Sequence, residues 1–216
     1  MVIKLDNRLI SILSEIEGDV LADIGCDHGK LSISALLNDK CKRVIAVDIS
    51  EKSLQKTIEL ARDCNCSNSI ETRVGDGFKA INQPIDTAVI AGLGGYEIKS
   101  ILLDKLPPVR RLIVCPHQNA SVARKALNQI GYGALKDYIV QEGEKYYPII
   151  VAEKNQKIYC DDELRFGKNL PKKADYYNML RTRKQVLDLR FPDGILPAGE
   201  MTEEYQEIIR CLKSEI

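Results

Sequence analysis

Strand-like and helix-like stretches alternate along most of this chain, and the alternation then stops at a defined place. Short β-rich runs at Val20–Ile24, Val44–Val47, Ile70–Val74, Thr87–Ile90 and Leu112–Cys115 are separated by helical candidates at 30–38, 51–64, 95–105 and 120–130. Strands alternating with helices imply crossover units and a parallel sheet. After Gly131-Tyr132, two further strand-like runs, Leu135–Gln141 and Tyr146–Ala152, are separated by Glu-Gly-Glu, the signal of an antiparallel hairpin. A nicotinamide-binding sheet would continue with parallel units instead. Ahead of the sheet, apolar residues at 5, 9, 12, 13 and 16 space Leu5–Ile16 as an amphipathic helix.

The unusual residues fall just beyond the C-terminal ends of the expected strands, where open α/β sheets bind ligands. After the first strand comes Asp23-Ile-Gly25-Cys-Asp27-His28-Gly29. The dinucleotide fingerprint G-x-G-x-x-G fails here, with Asp at 27 and Lys at 30. An acid followed by x-G-x-G-x-G, the methyltransferase pattern, matches at Asp23, Gly25 and Gly29 and fails only at 27. Asp48 ends the second strand and can accept both hydroxyls of a ribose, although it or Ser50 equally fits a helix N-cap. Gly75-Asp76-Gly77 follows the third strand, and its aspartate can accept from an adenine amino group or simply begin a turn. Three such loops in this order, together with the closing hairpin, point to a Rossmann-like class I S-adenosylmethionine-dependent fold. The fourth loop, Ala91-Gly92-Leu93-Gly94-Gly95-Tyr96, is made of small residues. Gly92 is expected on its cofactor side, with Gly94 and Gly95 facing a broad, flat acceptor. The fifth, Cys115-Pro116-His117, brings the chain's second and last histidine to the same rim.

Past Lys154 the pattern is helical, at 161–167, about 173–190 and 200–213, with Phe-Pro-Asp-Gly as the breaker between the last two. The expected division is a catalytic domain at 1–154 and a small C-terminal helical hairpin, coiled-coil-like, at 155–216. Net charge is zero, but residues 165–190 hold eight basic against two acidic side chains, and 191–216 hold six acidic against two basic. Within the basic stretch Lys172, Lys173, Arg181 and Arg183 are candidate phosphate contacts, and a solvated helix face is the plain alternative. The seven cysteines are odd in number and scattered, which fits reduced thiols in the cytoplasm better than a disulfide framework. No metal site is expected from Cys64-Asn65-Cys66, since neither histidine has ligand spacing to it. No apolar run is long enough for a membrane span, and no obligate protein partner is evident.

The chain resembles the bacterial tRNA (adenine-N1)-methyltransferases that modify the D-loop adenine at tRNA position 22. The likeness rests on Leu5-Asp-Asn-Arg-Leu9, the Asp23-Ile-Gly-x-Asp-His28 loop, Gly75-Asp-Gly77, Ala91-Gly-Leu-Gly-Gly95 and Glu163-Leu-Arg-Phe-Gly167, and spans nearly the whole length. The Asp-His pair is its specific element. Departures are Gly29-Lys-Leu-Ser32 for the usual Ala-Tyr-Leu-Pro, Leu93 for Met, and Cys115-Pro116 for Gln-Pro. The resemblance implies S-adenosylmethionine as cofactor, tRNA as substrate, and Asp27 and His28 between cofactor and acceptor. Asp27 capping the next helix, with His28 packed on the loop, is the structural alternative. A methyltransferase of a small molecule or protein would need no basic helical appendage, and a catalytically dead RNA-binding module would not need Asp48 and Asp76.

Overall fold

Short, mostly apolar runs buried on both faces become the inner strands of one sheet, and the edge run Ile70–Val74 has no buried residue. In the computed structural model, which describes residues 3–196 and 198–215, the strands are β1 (Val20–Ile24), β2 (Arg43–Asp48), β3 (Ile70–Val74), β4 (Ile85–Ala91), β5 (Val109–Cys115), β6 (Tyr132–Glu142) and β7 (Lys145–Lys154). Their order across the sheet is β3-β2-β1-β4-β5-β7-β6. The first five strands are parallel, and β7 runs antiparallel to both β5 and β6. The expected hairpin is therefore present, and its second strand is the one inserted beside β5. Its turn is made at Gly143, whose φ of 59° lies in the left-handed region.

Helices α1 (Asn7–Glu15), α2 (Lys30–Leu37) and α3 (Glu51–Asp63) cover one face, and α4 (Gly95–Leu103) and α5 (Ala120–Gln129) the other. Alternation along each strand divides the core accordingly. Ala22, Ile24, Ala88, Ile90, Leu112 and Val114 pack toward Ile98, Leu102 and Leu127, while Leu21, Val89 and Ile113 pack toward Ile12, Leu31 and Leu54. Strand order reverses between β1 and β4, so the crevice for a ligand opens above their C-terminal ends.

Beyond β7 the chain does not leave the sheet at once. Tyr159 and Leu164, the latter in the short helix α6 (Asp161–Leu164), are buried in the α4–α5 core, and Leu170 pairs with Asp137 of β6 through two backbone hydrogen bonds. Packing changes only at α7 (Ala174–Arg190) and α8 (Glu200–Lys213), where Tyr176, Tyr177, Leu180, Leu187 and Ile208 form a separate cluster on Ile139 of β6. The basic and acidic runs meet across this helical hairpin. Arg183 grips Glu204 with two bonds of 2.7 and 3.0 Å, Arg181 pairs with Glu215, and Arg165 reaches Glu207 at 3.3 Å. No helix among the described residues is long and apolar enough to cross a membrane.

Candidate active site

A cleft of about 890 Å³ opens above the β1–β4 reversal and is lined by the loops after β1, β2, β3, β4 and β5 together with the start of α1. Asp23 forms its floor. Its carboxylate accepts a 2.6 Å hydrogen bond from Ser32 Oγ of α2, but burial, with the nearby Asp48 charge, pushes its pKa up from the ordinary 3.8 to about 6. A carboxyl raised in the folded state costs nothing below the unfolded pKa and destabilises increasingly as pH rises from about 4 to 6. Asp23→Asn should therefore stabilise the ligand-free protein at pH 8 by on the order of 2 kcal/mol and stabilise it much less at pH 4. Denaturant unfolding at the two pH values checks this, and equal gains at both would remove Asp23's charge from the account.

The loop after β1 is held by the loop after β2. Backbone N–H groups of Asp27 and Ser50 donate to the two oxygens of Asp48, at 3.0 and 2.9 Å. The helix cap anticipated at Asp48 or Ser50 falls to Ser50, whose Oγ accepts from the Ser53 N–H. Asp48 does not cap α3, and each of its oxygens keeps a lone pair for a ligand. Asp27 does not cap α2 either. It stands at φ 48°, a left-handed position, which accounts for the one failure of the glycine pattern, since Asp tolerates this conformation better than most residues.

His28 is satisfied at both ring nitrogens. Lys56 Nζ of α3 donates to Nε2, so the proton sits on Nδ1 and is given to Asp27 Oδ2 at 2.9 Å. His28 thus orients Asp27 rather than presenting a free nitrogen, and Asp27 is the member of the pair left with acceptor capacity. Asp76, on the opposite wall, is exposed and pairs with Lys79 at 2.8 Å, and it makes no side-chain cap.

The cleft also collects Gly25, Gly77, Gly92 and Leu93, but neither Gly29, Gly94 nor Gly95 is among its lining residues. Two of these three glycines answer to packing. A Cβ on Gly29 would lie 2.4 Å from Thr57 of α3, and one on Gly95 would lie 2.0 Å from the Asn119 carbonyl oxygen. Three further residues line the cleft. Arg8 comes from the N-terminal helix, Ile49 is a 75% exposed apolar side chain beside Asp48, and Glu97 accepts from the Gly94 N–H at 2.8 Å. The motif around Arg8 is visible in the sequence, but its place at the cleft depends on α1 folding across the sheet.

The lining holds six carboxylates (Asp6, Asp23, Asp27, Asp48, Asp76 and Glu97) against two permanent cations, Arg8 and Lys30. Such a field repels a pyrophosphate and favours a ligand carrying positive charge. A sulfonium with an ammonium group, a ribose and an adenine suits this donor set. No group of three or more metal-ligating side chains occurs among the described residues.

The four candidate RNA contacts lie outside this cleft. Lys172 Nζ reaches the Ser214 carbonyl at 3.5 Å, Lys173 Nζ lies 3.9 Å from the Tyr138 ring centroid, Arg183 is engaged by Glu204 of α8, and Arg181 by Glu215 just past that helix.

Comparison with known proteins bears on this arrangement. The model of the family described as tRNA (adenine(22)-N(1))-methyltransferase matches residues 21–215. The Bacillus subtilis tRNA (adenine(22)-N(1))-methyltransferase is 34% identical over 201 residues, covering 89% of this chain and 84% of that protein. A Streptococcus pneumoniae structure solved with S-adenosyl-L-methionine superposes with a TM-score of 0.86 at 25% identity, over 97% of this chain and 100% of that one. An M. capricolum structure holding the cofactor product S-adenosyl-homocysteine gives 0.79 at 25% identity, over 97% of this chain and 95% of that one.

Proposed function

The chain belongs to the tRNA (adenine(22)-N(1))-methyltransferase family, and from that premise we propose how its own residues carry out the reaction. The activity is S-adenosylmethionine-dependent methylation of tRNA at N1 of adenine 22. The observation that carries the assignment of roles is the carboxylate-lined cleft, with its acids at successive strand ends in the order a cationic nucleoside needs.

In this reading Asp48 takes the ribose hydroxyls on the lone pairs its loop bonds leave open, and Asp76 takes the adenine amino group. Ile49 covers the adenine face. Asp23, with Gly25 beside it, meets the positive end of the cofactor, where an adjacent cation lowers the carboxyl that burial has raised. The cofactor supplies an electrophilic methyl group. Adenine N1 has an in-plane lone pair, so no base has to create the nucleophile, and positioning dominates the rate. The base has to leave its stack to enter the cleft. As the N–CH₃ bond forms the adenine becomes cationic, and Asp27, held by His28, stabilises that charge through space. Gly92 and Leu93 border the acceptor side, and the packing of Gly95 on the fifth loop keeps that wall thin.

The test is methyl transfer from labelled cofactor to bacterial tRNA, followed by nucleoside analysis under conditions that avoid alkaline rearrangement. N1-methyladenosine in the D-loop is the expected product. A methyl group on N6, on another base, or on no RNA would overturn the assignment.

For the RNA contacts, the pairing of Arg181 with Glu215 and of Arg183 with Glu204 narrows the candidates. Lys172 keeps its charge exposed just ahead of α7, while Lys173 lies over the Tyr138 ring, and we place the first phosphate contact at Lys172. Lys172→Glu should raise the tRNA KM several-fold and reduce the slope of log affinity against log salt by about 1. Cofactor affinity and thermal stability should stay put. Arg183→Glu, by contrast, should lower the melting temperature, because it turns a bidentate pair with Glu204 into a repulsion. An unchanged salt slope in the Lys172 variant would make this end of α7 a solvated face. All seven cysteines are unpaired, and burial pushes the thiols of Cys26, Cys41 and Cys115 up to about 12, which leaves these three as unreactive thiols at neutral pH.

A further inference from the structure

His117 is the one residue, among those described, shared by the cofactor cleft and by a second groove that runs between the α5 N-terminus and helices α6 and α8. It therefore stands where anything held by the helical hairpin passes into the cleft. Its ring is held by two side chains and its backbone by the fourth loop. Arg8 Nη1 lies 2.8 Å from Nε2, the His117 backbone N–H donates to the Leu93 carbonyl at 2.9 Å, and the ring meets Tyr147 edge-on at 5.5 Å. Arg8 is itself seated over Tyr147, 5.4 Å from the ring centroid, with Asp6 Oδ2 at 3.4 Å.

A guanidinium has only donors, so the Arg8 contact makes Nε2 an acceptor and leaves the imidazole proton on Nδ1. No described protein group takes a hydrogen bond from that Nδ1–H. The Cε1 edge between the two nitrogens faces Gly92, 4.0 Å from where a Cβ would stand there. We propose that His117, locked by Arg8 as the Nδ1–H tautomer, touches the methyl-acceptor base and donates to one of its ring nitrogens other than N1, namely N3 or N7.

Such a contact holds the ring plane so that the N1 lone pair points at the methyl group, and it requires a neutral imidazole. Partial burial and the positive charges of Arg8 and Lys145 hold its pKa below the ordinary 6.5, against the opposing pull of Asp6. Protonation would set two donors face to face at Arg8 and release the ring.

This inference rests on the tRNA reading above, and the wild-type enzyme separates the two. If wild-type protein forms no N1-methyladenosine in tRNA, that reading fails and this one with it. Where it does, His117→Phe, which keeps a ring and loses both nitrogens, should lower kcat/KM for tRNA about 10-fold or more, the size of one well-placed hydrogen bond, with cofactor affinity unchanged. His117→Asn sets an amide N–H₂ close to the Nδ1 position and should recover most of the rate. Arg8→Met should move the acid limb of the kcat/KM profile to higher pH, since it frees His117 to titrate nearer its ordinary value. A Phe variant with wild-type kinetics, an Asn variant as impaired as Phe, or an acid limb that ignores Arg8 would each overturn the proposal.

Discussion

Arg124→Met should cost about 3–5 kcal/mol of folding stability, the range for removing one partner of a buried ion pair. Arg124 and Asp137 are each 1% exposed, and their side chains meet in two parallel bonds of 3.0 and 3.1 Å. Arg124 Nη1 also donates to the Leu164 and Arg165 carbonyls, while Asp137 accepts from the Tyr159 hydroxyl at 2.8 Å and the Lys168 N–H at 3.3 Å. The pair thus fastens the segment between β7 and α7 to the sheet. Without the guanidinium, a carboxylate stays buried with only neutral donors and two backbone carbonyls lose their partner. Asp137→Leu should be similarly damaging, and the Arg124→Met/Asp137→Leu double variant should cost much less than the sum of the singles. Chemical denaturation of all three checks this. Singles that lose under 1 kcal/mol, or strict additivity, would mean that the attachment of the segment lies elsewhere.

The same cluster shows what a sequence motif carries and what it conceals. Glu163-Leu-Arg-Phe-Gly167 is recognisable as a signature, yet nothing in it reveals the buried Arg124–Asp137 pair that it packs on. Gly167 is glycine because a Cβ there would lie 2.4 Å from Asp137 Oδ2, at φ 81°. Leu164 and Arg165 contribute carbonyl oxygens, which any residue would. The strands were legible for a different reason. β1 and β5 are buried on both faces, so they stand out as mostly apolar runs, broken only by Asp23 in β1 and by Arg110-Arg111 at the start of β5, and a single glycine turn marked the hairpin. Charges pairing across α7 and α8 left no local trace. Arg183 finds Glu204 across 21 positions and Arg181 finds Glu215 across 34, so a run that looked basic is substantially neutralised on folding. Asp23, Asp48 and Asp76 were legible because they lie at or just past the ends of successive strands, a local feature, whereas Asp6 and Glu97 reach the cleft from the start of α1 and from α4. Arg8 meeting His117 across 109 positions depends on α1 crossing the sheet, which no periodicity encodes.

Asp48→Ala should weaken S-adenosylmethionine binding by on the order of 100-fold, close to 3 kcal/mol, while leaving the tRNA dissociation constant nearly unchanged. Two losses combine. The carboxylate no longer meets the ribose, where each charge-assisted bond contributes about 1.5–3 kcal/mol. The Asp27 N–H also loses its acceptor, so the loop that carries Gly25 and Asp27 is no longer tied to β2. Asp48→Asn keeps an acceptor for one of these contacts and should fall between, near 10-fold. Overall stability should change little, because the lost backbone bonds are offset by relief of Asp23, whose carboxyl is raised in part by the Asp48 charge. That coupling provides an internal check. In the Ala variant the Asp23 titration should move down from about 6 toward the ordinary 3.8, visible as a shift in the acid limb of stability against pH. Calorimetry showing cofactor affinity within two-fold of wild type in a folded Ala variant would take Asp48 out of the binding site. An unmoved Asp23 titration alongside weakened binding would instead leave Asp48 as a ribose ligand and dissolve its link to the floor of the cleft.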